Sequence, residues 1–90
     1  MMYVKIHKSE HSEIIAVCDE SLLGKTITEG EKELKISEGF YKGELKNEEE
    51  VLEIIKGASN VNLVGDEAVS CGIKSSLISE EHIIKIGGIP

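Results

Sequence analysis

Residues 47–69, NEEEVLEIIKGASNVNLVGDEAV, carry a helix, a strand and the opening of a second helix in one unbroken run. Asn47 is a natural N-cap, and Glu50 three positions on completes a capping-box pair. Glu48, Glu49 and Glu50 together suit the positive end of a helix dipole. Val51, Leu52, Ile55 and Ala58 recur at helical spacing as an apolar stripe, and Gly57 ends the helix or nearly so. Val61-Asn62-Leu63-Val64 reads as a strand, and Gly65-Asp66 turns it into a helix from about Glu67. In that helix Val69, Ile73 and Leu77 lie four apart on one face, with small Gly72 allowing close packing. His82-Ile83-Ile84-Lys85-Ile86 reads as the last strand, closed by Gly87-Gly88. Helix, strand, helix, strand implies parallel neighbours joined by right-handed crossovers.

Toward the N-terminus the pattern changes to antiparallel. Tyr3 to His7 alternates, with Val4 and Ile6 on one face and Tyr3, Lys5 and His7 on the other. After a polar turn, Lys8 to Ser12, the run Glu13-Ile14-Ile15-Ala16-Val17-Cys18 is apolar on both faces, as a central strand is. These two form a hairpin. Asp19 is placed to cap a short helical turn through Glu20, Ser21, Leu22 and Leu23, ended by Gly24 in the left-handed region. Glu31 to Ile36 reads as a short strand with Leu34 and Ile36 inward. Gly39-Phe40-Tyr41-Lys42-Gly43, bracketed by glycines, reads as a bend or strand edge. The fold expected is α/β, bordering on α+β. It has a mixed sheet of about five strands, an N-terminal antiparallel hairpin, a β-α-β-α-β-like C-terminal half and two main helices. With no repeat, linker or low-complexity segment, residues 1–90 read as a single domain.

Composition narrows the function classes. A chain of 90 residues buries about 60–65% of its unfolded surface, one modest core with no room for a large internal cavity. The core is aliphatic, since Phe40, Tyr3 and Tyr41 are its only aromatics. Ten Lys and no Arg oppose seventeen acids, a formal net charge of −7. Arg grips phosphate with a planar fork, and phosphate neutralisation dominates nucleic-acid affinity. The chain therefore suits a basic protein partner or a ribonucleoprotein surface, and direct nucleic-acid binding is not expected. Two cysteines without C-x-x-C spacing, no apolar leader and no run near the ~18 apolar residues of a span argue for a cytoplasmic protein without membrane partners. A homo-oligomer stays open.

Five features invite chemistry. Cys18-Asp19 stands where a central strand ends, a usual place for functional side chains. A thiol near a helix N-terminus is activated, but the adjacent Asp19 and Glu20 oppose thiolate and burial is the commoner fate. His7, His11, His82, Cys18 and Cys71 lack metal-ligand spacing, so neither metal nor cofactor is expected. Gly65-Asp66-Glu67 opens a helix after a strand, where phosphate docks, yet its acids repel anions and no G-x-G-x-x-G is present. Leu23-Gly24-Lys25-Thr26 contains G-K-T, but the first P-loop Gly falls on Asp19. Phe40 and Tyr41, two of three aromatics on one bend flanked by Glu38 and Glu44, suit a protein-contact anchor if exposed.

Met2-Tyr3-Val4-Lys5-Ile6-His7-Lys8-Ser9 and Val17 to Thr26 resemble a small archaeal family, domain of unknown function 424. So do Gly39-Phe40-Tyr41-Lys42-Gly43-Glu44, Asn62 to Val69 and Ile86-Gly87-Gly88-Ile89-Pro90. The likeness spans essentially the whole chain, departing at Lys42, where the family often has Gly, and after Pro90, where it often continues. The resemblance implies an archaeal, cytosolic protein with a loose link to translation genes, and no established activity. The reading is a non-enzymatic adaptor. The competing class is a small enzyme or ligand-binding protein built on Cys18, Asp19 and the Gly65-Asp66-Glu67 turn.

Overall fold

A computed structural model describes residues 1–76 and 89–90. In chain order it comprises β1 (Met2–Lys8), β2 (Glu13–Asp19), β3 (Thr26–Glu29), β4 (Lys32–Lys35), α1 (Glu38–Tyr41), β5 (Glu44–Lys46), α2 (Glu48–Ile55), β6 (Val61–Val64) and α3 (Asp66–Lys74), with a 3-10 turn at Glu20–Leu22. The main sheet is mixed, in the order β5-β1-β2-β6, and β3 and β4 form a separate hairpin. This is an α+β fold.

β1 and β2 pair antiparallel from Met2 opposite Asp19 to Lys8 opposite Glu13. β5 lies antiparallel on the outer side of β1, but only from Met2 opposite Lys46 to Val4 opposite Glu44. β6 runs parallel to β2, Ile15 opposite Val61 through Cys18 opposite Val64. The two-sided apolar run makes β2 the spine of the sheet, buried from Ile15 to Asp19. On one face Met2, Val4, Ile15 and Val17 pack against Val51 and Ile55 of α2 and Ala68 and Cys71 of α3. On the other, Ala16, Cys18 and Val64 pack against Leu22, Ile36 and Tyr41.

α2 starts as its sequence requires. The Asn47 side chain accepts the Glu50 N–H at 2.9 Å, and the Glu50 side chain accepts the Asn47 N–H at 3.2 Å.

Several local readings need correction. Thr26–Glu29 is a strand the sequence did not reveal, since each strand of its hairpin offers one half-buried apolar residue, Ile27 or Leu34. The strand read over residues 31–36 is Lys32–Lys35, with Ile36 fully buried just beyond it. Gly39 to Gly43 contains a helical turn, α1, before the chain enters β5. The buried face of α3 runs through Ala68, Val69, Cys71 and Gly72. Ile73, about 40° beyond Val69 at the edge of that face, is 37% exposed. The parallel pair seen is β2 with β6. Leu77, the strand read at His82–Ile86 and Gly87-Gly88 lie outside the described residues. No described helix is long and apolar enough to cross a membrane.

Candidate functional site

Because β2 and β6 are parallel, their C-terminal ends lie side by side, and Asp19 and Gly65 leave the sheet together. α3 begins immediately after Gly65. Strand alternation turns Val17 and Asp19 toward the α2–α3 face and Cys18 toward the opposite one. Asp19 therefore does not cap the turn that follows it. That turn has no side-chain cap, and the carboxylate reaches across 48 positions to α3. Its Oδ2 accepts the Glu67 N–H at 3.1 Å and its Oδ1 accepts the Ala68 N–H at 2.8 Å. Sequence reasoning assigned the cap to the nearest helix because the partner is set by sheet order, which local pattern does not reveal.

Gly65 makes this approach possible. Its φ is +106°, and a Cβ there would fall inside the Asp19 carboxylate. The Gly65 N–H donates to the Pro90 carbonyl at 2.9 Å. Asp66 and Glu67 point outward, and the Met1 ammonium stands 3.3 Å from Glu67 Oε1. The two segments named as a candidate site are thus within hydrogen-bond reach, as the enzymatic alternative requires. Asp66 and Glu67 border an open depression of about 250 Å³ together with Met2, Glu48 and Ser70, and Asp19 lies beneath the first turn of α3. The position where an anionic ligand would meet the first turn of α3 is occupied by the chain's own carboxylate, only 7% exposed. Burial pushes the Asp19 carboxyl upward, against the lowering effect of the two backbone N–H groups, and the carboxylates of Glu67 and Asp66 add to the rise.

Cys18 is fully buried, and burial, then Asp19, pushes its thiol up to about 11. A thiol so placed packs in the core and is held in its protonated form at neutral pH. Cys71 is buried on the other side of the sheet, its Sγ 4.0 Å from Met2 Sδ. A thiol reagent at neutral pH is accordingly expected to modify Cys18 only as fast as the native protein opens. Modification at the rate of a free thiol would show an accessible sulfur and return the nucleophile to consideration.

The aromatic bend is built against β1. The Lys5 ammonium donates to the Gly39 carbonyl at 2.8 Å, and His7 Nε2 lies 2.7 Å from the Phe40 carbonyl oxygen. The His7 ring stacks on Phe40 with centroids 4.5 Å apart and 17° between planes. Tyr41 meets Phe40 edge-on and donates from its hydroxyl to Asn62 Oδ1 at 2.6 Å. Tyr41 is 5% exposed and belongs to the core. Of the expected aromatic pair, only Phe40 reaches the surface, half-buried beneath His7. Gly24, with φ +82°, and Lys25 close the 3-10 turn through Gly24 N–H to Ile36 and Lys25 N–H to Leu22, with no phosphate-loop geometry. Among the described residues no three or more His, Cys, Asp or Glu side chains gather as a metal set. His82 lies outside them.

One surface feature escaped sequence reasoning. A shallow depression of about 380 Å³ lies beside the outer side of β1, lined by Val4, Lys5, Ile6, Gly43, Glu44, Lys46 and Ile54. Ile6 reads as inward-facing with Val4, yet is 45% exposed. α2 packs over Val4 but leaves Ile6 open, and β5 stops short of it. How far α2 extends over β1 is a tertiary fact that alternation along β1 does not carry.

The family described as "Protein of unknown function (DUF424)" matches residues 6–90. The crystal structure of an uncharacterized conserved protein from Methanopyrus kandleri is similar, with a TM-score of 0.79 and 28% identity, covering 99% of this chain and 85% of that one. No protein of curated function matches the chain.

Proposed function

The chain belongs to the DUF424 family, and we propose that it is a non-enzymatic accessory domain that binds a basic protein or the protein surface of a ribonucleoprotein. The observation that carries this reading is the Asp19 carboxylate seated on the N-terminus of α3. The arrangement with most resemblance to a catalytic or phosphate site is closed by an internal hydrogen-bonded cap. Cys18, its neighbour, is inert by burial and faces the other way. The surface is left to carry the function, and its net charge of −7 without Arg favours a basic partner.

The competing reading, a small enzyme on Cys18, Asp19 and Gly65-Asp66-Glu67, draws on the meeting of those segments but requires Asp19 to leave two N–H groups unpaired. Affinity capture from native cytosol at low and high salt, identifying both proteins and nucleic acids, separates the two. Basic proteins retained at low salt and released at high salt are the expected result. Capture of nucleic acid without protein, or of nothing, would remove the proposal.

A further inference from the structure

We draw no further inference here: the strongest candidate, the open depression beside the first turns of α2 and α3 lined by Glu48, Asp66 and Glu67, is an acidic cluster whose Glu48 and Glu67 already pair with Lys74 and the Met1 ammonium, and nothing else in the structure points to a ligand there.

Discussion

Gly65→Ala is expected to lose about 3–5 kcal/mol of folding stability, the sum of backbone strain and overpacking. At φ +106° a side chain is strained whatever the space, and the new Cβ would lie inside the Asp19 carboxylate. Asp19 must then withdraw, leaving the Glu67 and Ala68 N–H groups without their acceptor. Asp19→Ala alone should cost about 2 kcal/mol, the loss of a helix cap whose donors are partly shielded from water. Because both changes act on one contact, the double variant should be clearly more stable than the two separate losses predict. Urea midpoints at neutral pH provide the comparison. Strict additivity would mean that Gly65 and Asp19 do not oppose one another as described.

The same carboxylate leaves a signature in pH. Its folded value is raised by burial, so the folded chain holds the proton over a window in which the unfolded chain has released it. The stability it contributes is full below the ordinary carboxylate value of about 4 and is lost as pH rises through the folded value. The advantage of wild type over Asp19→Asn should therefore shrink with rising pH across that window and level off above it. An advantage that grows instead would show that the two N–H bonds outweigh burial.

Gly43→Ala is the second large effect. Its φ is ordinary, so the cost is steric: the added methyl would land on the Val4 carbonyl oxygen and against the Lys5 Cα. Both are backbone atoms of β1 and cannot rotate away. An overpacking cost of up to about 3 kcal/mol or somewhat more is offset by about 0.4–1 kcal/mol from the stiffer unfolded chain. The net expectation is about 2–3 kcal/mol, or a fall in Tm of roughly 8–24 °C for a chain of this size. Gly39, four positions earlier, has nothing within 4 Å of its Cβ position. Gly39→Ala should therefore be neutral or stabilising by about 0.5–1 kcal/mol, since it lies inside α1. Equal melting of the two variants would show that β5 is not seated against β1 at Gly43.

Much of the fold is legible locally. A five-residue run apolar on both faces, Ile14 to Cys18, reads as central, and β2 is. Asn47 and Glu50 satisfy one another's backbone across a single turn, so α2 starts where the capping box places it. Gly65 followed by two acids marks a strand passing into a helix, and the capped start of α3 lies there. In each case the interacting groups are within about four residues of each other. Cys18, at the end of the two-sided run, is buried for the same reason.

What escaped the sequence depended on partners far along the chain. Asp19 pairs with N–H groups 48 and 49 positions away because β2 and β6 are neighbours, a fact of sheet order. Tyr41 is core rather than anchor because α1 folds back over the sheet and delivers its hydroxyl to Asn62. Ile6 alternates in phase with Val4, yet Val4 is packed against α2 while Ile6 is 45% exposed. Periodicity determines which way a side chain points. Only the tertiary structure decides whether anything stands there to meet it, because burial is a property of two surfaces and the sequence displays them one at a time.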